Sequence, residues 1–256
     1  LLLVLKWSIF STITLALCGP YIKHTYIPKH KYGYDIALIL DTSGSMQQLG
    51  FNPLNPRQNK LEAIKNVAST FILSREKDNL ALIVFGDFAY IASPLSFDKQ
   101  IISEILNMMQ IGIAGEKTAI YDALSMSITA LNKGEAVSKI AVLLTDGINN
   151  SGFVPPYVAL EMAKKSNIKV YTIGIGASND FDKASLTHIA NETGGKFFHA
   201  VDSRVLQDIY QEIDSLEKSE IKSDDIIKKE QLYVYPLFFG TMFLILYIYF
   251  YNRSNR

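Results

Sequence analysis

The sequence is short of the residues that most soluble enzymes use for chemistry. It has a single cysteine, Cys18, which excludes an intramolecular disulfide framework and any cysteine-based zinc cluster. Its four histidines, His24, His30, His188 and His199, are scattered and offer neither triad nor zinc spacing. Neither sign of charge is in excess, with 25 basic and 25 acidic residues, so no basic field points to nucleic acid and no acidic tail to a solvating segment. There is no internal repeat. The stretch Gly115-Glu116-Lys117-Thr118 lacks the Gly-Lys-Ser/Thr ending and the glycine-rich run of a phosphate-binding loop. "TSGSM" (Thr42 to Met46) lacks the glycine spacing of a nucleophile elbow.

What the sequence does have is apolar residues, concentrated at its ends. "YVYPLFFGTMFLILYIYFY" (Tyr233 to Tyr251) carries no charge. As a helix rising 1.5 Å per residue it spans about 28 Å, close to the hydrocarbon thickness of a bilayer. Tyrosines crowd both of its flanks, as in an interfacial aromatic belt. These features predict a transmembrane helix over 233–251. At the other end, residues 1–19 are apolar apart from Lys6 and a few hydroxyls, and read as a second membrane helix. A cleaved signal peptide is the competing reading of that segment. The sequence opens without Met, which leads to the expectation that it starts inside a longer chain. Arginines at 253 and 256 argue for a cytoplasmic tail, whereas Lys23, Lys29 and Lys31 argue the opposite way, so charge alone leaves sidedness open.

Between these ends, residues 33–216 alternate short apolar runs with segments of helical period. "DIALIL" (from Asp35), "LALIVF" (from Leu80), "KIAVLLT" (from Lys139) and "KVYTIGIG" (from Lys169) are near-continuous apolar runs, as expected of strands buried on both faces. "FAYIAS" (from Phe88) follows Phe85 so closely that a hairpin return is expected, and "KFFHAV" (from Lys196) reads as an edge strand. Apolar stripes at Leu61, Ile64, Ala68, Phe71 and Ile72 and at Ile120, Leu124, Ile128 and Leu131 mark two helices. Shorter stripes around Ile101–Met108, Leu186–Ala190 and Leu206–Leu216 mark three more. The expected fold is an α/β, open, mainly parallel, doubly wound (Rossmann-like) sheet with helices on both faces, flanked by transmembrane helices. Residues 217–232 turn charged and read as a helical linker to the membrane.

In such a sheet, ligands bind beyond the carboxyl ends of the strands, where the strand order reverses. Asp41 ends the first strand of this domain, Asp146 follows "KIAVLLT", and Thr118 stands where a loop enters a helix. With Ser43 and Ser45 on alternate residues after Asp41, three distant loops deliver two carboxylates and three hydroxyls to one rim. An all-oxygen donor set suits Mg²⁺, Mn²⁺ or Ca²⁺. Hydroxyl-rich coordination leaves the ion electrophilic, and a carboxylate from another molecule can replace a retained water. Taken singly, Asp41 with Ser43 is also compatible with a plain strand-to-helix turn, Thr118 with a helix N-cap, and Asn149 and Asn150 with either the rim or the turn.

Together, Asp41, Ser43, Ser45, Thr118 and Asp146 resemble the metal-ion-dependent adhesion site (MIDAS) of the von Willebrand factor type A (VWA) domain, whose pattern is Asp-x-Ser-x-Ser, then Thr, then Asp. The resemblance implies direct binding of the metal by the serines, state-dependent binding by the threonine, and action of the acids often through water. "RQNKLEAIKNVASTFI", "KTAIYDALSMSITAL", "SKIAVLLTDGINNSG" and "TGGKFFHAVD" are further similar to the bacterial membrane-anchored aerotolerance (Bat; BatA/BatB-like) proteins. That narrower resemblance implies a multi-pass protein of the bacterial cytoplasmic membrane, with its VWA domain periplasmic. It also implies partners among other VWA/Bat-type membrane proteins and a MoxR-type AAA+ ATPase, and a protein ligand that supplies an acidic residue. The sequence departs from the family in having Lys117 before the threonine and no acidic residue in "MQQLGFNPLNPRQ". A non-enzymatic binding module is therefore expected. A metal-dependent hydrolase would need a general base that nothing in the constellation supplies, and the intact five-residue set argues against a tether with a vestigial site.

Overall fold

A computed structural model describes residues 2–26, 33–218 and 226–254. It divides into two compact units, one made of the two ends and the other of residues 29–222.

In the first unit, helix α1 (Leu2–Leu17) leads into strand β1 (Tyr21–Tyr26). In the second unit the order is β2 (Asp35–Asp41), α2 (Lys60–Ser74), β3 (Asn79–Phe85), β4 (Ala89–Ser96), α3 (Lys99–Met108), α4 (Ile120–Leu131), β5 (Lys139–Thr145), α5 (Pro156–Lys165), β6 (Lys169–Ile175), α6 (Lys183–Glu192), β7 (Phe197–Ala200) and α7 (Ser203–Lys218). The chain then returns to the first unit through β8 (Ile226–Gln231) and α8 (Val234–Ser254).

The six strands of the large unit lie in the order β4-β3-β2-β5-β6-β7, all parallel except β4, which runs antiparallel to β3. The sheet is thus mixed, its antiparallel strand confined to one edge. The cause is local: only three residues separate β3 from β4, too few for the crossover a parallel pair requires.

Strand periodicity sorts the core into two layers. Along β2, Ile36, Leu38 and Leu40 face a layer built with α2, α3 and α7, where Ile64, Phe71, Ile102, Leu206 and Ile213 are buried. Ala37 and Ile39 face the opposite layer, made with α4, α5 and α6 through Leu124, Ile128, Leu160 and Ile189. Every residue of β2 is buried, which explains its lack of apolar–polar alternation. Helix α5 carries no apolar stripe that would predict it. It buries only Ala159, Leu160 and Ala163, and it starts with Pro156 at a position where a missing N–H is harmless.

In the smaller unit, α1 packs on α8, and a Cβ at Gly240 would lie 3.0 Å from Thr12 Oγ1, so the glycine permits close approach. Strands β1 and β8 pair antiparallel, from Tyr21 opposite Gln231 to Tyr26 opposite Ile226. This differs from the expected helical linker over 217–232: α7 ends at Lys218, residues 219–225 lie outside the described residues, and 226–231 is extended. The end of α1 and the start of α8 bring the two polar strands together, so pairing satisfies backbone groups that helix propensity alone would have kept in a helix. Helix α8 is long and apolar enough to cross a membrane. Helix α1 has 16 residues, fewer than the roughly 20 a bilayer needs, so among the described residues one helix rather than two meets that length.

Candidate functional site

Parallel register brings distant residues to one rim. Leu40 of β2 lies opposite Leu144 of β5, so the residues after them, Asp41 and Thr145, emerge side by side. Thr145 Oγ1 donates a 2.5 Å hydrogen bond to Asp41 Oδ2 and accepts from the Gly147 N–H at 3.1 Å. The other carboxylate oxygen of Asp41 accepts the Ser43 N–H at 2.8 Å, closing the turn that starts the serine motif. A single turn of 3₁₀ helix, Gly44–Gln47, then carries Ser45 back over the strand end.

The serine hydroxyls lie 3.0 Å apart in hydrogen-bonding contact, and Ser45 Oγ donates to Asp146 Oδ1 at 2.6 Å. Asp41, Ser43 and Asp146 are buried, while Ser45 is open to solvent. Asp41, Ser43, Ser45 and Asp146 therefore form one connected patch at the ends of β2 and β5. Thr118 joins it from the α4 side: a Cβ on Gly147 would stand 2.7 Å from Thr118 Oγ1, so that hydroxyl abuts the peptide following Asp146.

Gly44, whose sequence context invites the reading of a tight turn, packs against the exposed Glu116 side chain. Its backbone is outside the positive-φ region, but a Cβ there would come within 2.7 Å of Glu116 Oε2. The Gly44 N–H also donates to the Glu116 carbonyl at 3.1 Å, tying the serine turn to the loop that carries Thr118.

Thr118 is not the N-cap of α4. Ala119 holds that position without a side-chain cap, and Asn149 Oδ1 accepts from the Ile120 N–H at 2.8 Å. Asn150 Oδ1 accepts from the Thr118 N–H at 2.8 Å. These two asparagines act as backbone props across loops and leave the Thr118 hydroxyl uncommitted to capping. Asn149→Ala should lower the thermal unfolding midpoint of the domain by about 3 °C, matching about 1 kcal/mol for a lost cap in a domain of this size. Circular dichroism melting checks this, and an unchanged midpoint would mean that water replaces the cap.

Two residues of the patch escaped sequence reasoning. Thr145 reads as the last residue of an apolar strand. Lys60 reads as a solvated residue opening α2, yet its side chain is 3% exposed. Its ammonium donates to Asp146 Oδ2 at 2.6 Å and to Gln48 Oε1 at 2.7 Å. A cation in the first turn of a helix opposes the macrodipole by about 0.5 kcal/mol, so the ion pair holds it against a local preference.

Electrostatically the patch is short of positive charge. Burial lifts the Asp41 carboxyl from 3.8 to about 6, hydrogen bonds from Ser43 and Thr145 oppose the rise, and the charge of Asp146 adds to it. A buried carboxylate whose ionised form is disfavoured, beside a second carboxylate and convergent hydroxyls, is a donor set that an oxygen-seeking divalent cation fits. Among the described residues no group of three or more His, Cys, Asp or Glu side chains comes together, so any cation here is held mainly by hydroxyls and two acids.

A family model for the von Willebrand factor type A domain matches residues 35–212, about seven-tenths of the sequence. The chain belongs to the von Willebrand factor type A domain family. VWA domains are interaction modules rather than catalysts. An uncharacterized protein of Borreliella burgdorferi is 29% identical over 258 residues, covering 93% of this chain and 74% of its own. An aerotolerance-related membrane protein of Bacteroides fragilis superposes with a TM-score of 0.59 at 25% identity, over 72% of this chain and all of that one. BatB from Bacteroides thetaiotaomicron shares the fold, with a TM-score of 0.61 at 23% identity, over 73% of this chain and all of that one. Proximal thread matrix protein 1 of the mussel byssus, solved with zinc in its MIDAS motif, gives a TM-score of 0.60 at 25% identity, over 76% of this chain and 48% of that one. The chain is thus a VWA-domain protein related to bacterial aerotolerance-type and byssal VWA proteins. Its long apolar helix, together with the membrane-protein relative, supports association with a membrane.

Proposed function

We propose that this chain is a membrane-anchored VWA module that holds Mg²⁺, or Mn²⁺ or Ca²⁺ in its place, on Asp41, Ser43, Ser45, Thr118 and Asp146, and uses it to capture an acidic side chain of a partner protein. The observation that carries this reading is the hydrogen-bonded run from Ser43 through Ser45 to Asp146 beside buried Asp41, at the carboxyl ends of adjacent central strands. When bound, the cation supplies an electrophilic coordination position. Ser45, on the solvent side, is where an incoming carboxylate meets the site, while Asp41 and Asp146 supply compensating charge from below.

The proposed organisation is a membrane helix over 1–19, a VWA domain over 33–216, a linker over 217–232 and a membrane helix over 233–251. We place the protein in a bacterial cytoplasmic membrane with the VWA domain periplasmic, beside other VWA/Bat-type proteins and a MoxR-type AAA+ ATPase. Relatedness to the Bacteroides aerotolerance-type proteins supports this assignment.

Partner capture by the detergent-solubilised chain is expected to be strong with Mg²⁺, lost with EDTA, and lost in Ser45→Ala. Capture that survives both treatments would separate binding from the metal. Sidedness is tested with Cys18, a free exposed thiol just after α1. A membrane-impermeant maleimide added to intact spheroplasts should label it; labelling only after lysis would reverse the assignment.

A further inference from the structure

We infer that Lys60 is the resident counter-ion of the metal-free site, and that its ammonium competes with a divalent cation for Asp146 and so sets how tightly the domain holds metal. This inference rests on the metal-binding reading above and adds the residue that tunes it.

Three observations carry it. The Lys60 ammonium is enclosed rather than solvated, with its side chain 3% exposed and contacts to Asp146 Oδ2 at 2.6 Å and Gln48 Oε1 at 2.7 Å. A buried lysine needs a charged partner, and the partner here is one of the two acids of the candidate site. Lys60 is also fixed in place from the main chain. Its N–H donates to the Gln48 carbonyl at 2.8 Å, so one residue holds it at both backbone and side chain. Gly176, after β6, faces it without a side chain: a Cβ there would lie 3.1 Å from the ammonium nitrogen. The ammonium is thus held at Asp146 by its burial and its two hydrogen bonds.

The division of Asp146 follows. One carboxylate oxygen faces Ser45 and the rim, and the other is committed to Lys60. A divalent ion arriving on the serine side meets an acid already half neutralised and a positive charge on the far side of the same carboxylate. Both effects weaken its binding in proportion to the charge on residue 60. The same pair stabilises the domain when no metal is present, so Lys60 narrows the gap between the metal-free and metal-bound states from both directions. The device suits a receptor that must release its ion, or its metal-dependent partner, without unfolding.

The test uses the full chain in detergent and Mn²⁺ alone, with free Mn²⁺ read by electron paramagnetic resonance. Lys60→Gln removes the charge but keeps an amide that can still reach Gln48 and Asp146. Its Mn²⁺ dissociation constant is expected to fall at least tenfold, with Lys60→Arg within about threefold of wild type. The Mn²⁺-induced rise in melting midpoint should also be larger in Lys60→Gln than in wild type. Lys60→Met, equally neutral, serves where circular dichroism finds Lys60→Gln unfolded. Unchanged or weaker Mn²⁺ binding in the neutral variant, with wild type binding normally, would overturn the competition while leaving the metal site intact. Binding by neither protein would overturn the metal reading, and the competition with it. Binding by the neutral variant alone would support both.

Discussion

Adding Mg²⁺ at about one hundred times its dissociation constant should raise the unfolding midpoint of the chelated chain by about 5–10 °C. The expectation comes from linkage: a ligand bound only by the native state at that excess stabilises it by about 2.7 kcal/mol, and a domain of this size gains about 2–4 °C per kcal/mol. The proposed metal-binding residues come from β2, the loop before α4 and the end of β5, brought together only by the folded sheet. An unfolded chain therefore has no comparable affinity. Asp41→Ala should abolish the shift, because it removes a buried carboxylate and leaves Thr145 Oγ1 and the Ser43 N–H without their acceptor. A full shift in Asp41→Ala would move the metal elsewhere, and no shift in wild type would count against the site.

The second large effect has the opposite sign. In EDTA at pH 7.5, Asp41→Asn should make the chain more stable than wild type by about 3 kcal/mol, the energy equivalent of a carboxyl lifted from 3.8 to about 6. Below about pH 4 the Asp41 carboxyl is protonated in both native and unfolded states, and the difference vanishes. Between about pH 4 and 6 the native state retains the proton that the unfolded state releases, so wild-type stability falls as pH rises, and the gap opens. Above about pH 6 it is constant. Asparagine keeps an oxygen for the Ser43 N–H, while its amide would donate to Thr145 Oγ1 in place of accepting from it, so the Thr145 hydroxyl proton must turn to another acceptor. Mg²⁺ at about one hundred times its dissociation constant should then bring the two close to parity, since wild type gains about 2.7 kcal/mol from the metal and Asp41→Asn gains none. Melting at several pH values with and without Mg²⁺ checks all of this. An Asp41→Asn chain less stable than wild type in EDTA at pH 7.5 would show that the buried carboxylate is already compensated without a metal.

Both predictions follow from a proposed site whose outline is legible in the sequence and whose electrostatics are not. The central strands are readable because burial on both faces leaves continuous apolar runs such as that of β5, and the hairpin between β3 and β4 because the loop is too short for anything else. Asp41, Ser43, Ser45 and Asp146 are readable because each sits at or just past a strand end, where an open sheet exposes ligands. Helix α5 escapes because small residues pack it, and Ala159 and Ala163 give a weak stripe. The β1–β8 ribbon escapes because its strands are polar and about two hundred residues apart, with pairing that depends on the two terminal helices meeting.

Lys60 is the most instructive omission. In sequence it is one of 25 basic residues, next to the Leu61–Ile64–Ala68 stripe of an amphipathic helix. Its burial is decided by α2 starting beneath the loop that follows β5, which no local pattern encodes. Gly44 teaches the complementary lesson. The glycine is legible, but its neighbour, the Glu116 carboxylate from a loop some seventy residues away, is not. Residue identity at the rim is thus readable where strand ends fix it and hidden where loops from different parts of the chain meet.

The most direct measurement is a crystal structure of the chain grown with Mn²⁺, with the ion located by its anomalous scattering. The predicted result is one strong peak coordinated by the Ser43 and Ser45 hydroxyls, with Asp41, Thr118 and Asp146 around it. A well-ordered rim with no peak, or a peak away from the two serines, would contradict the account.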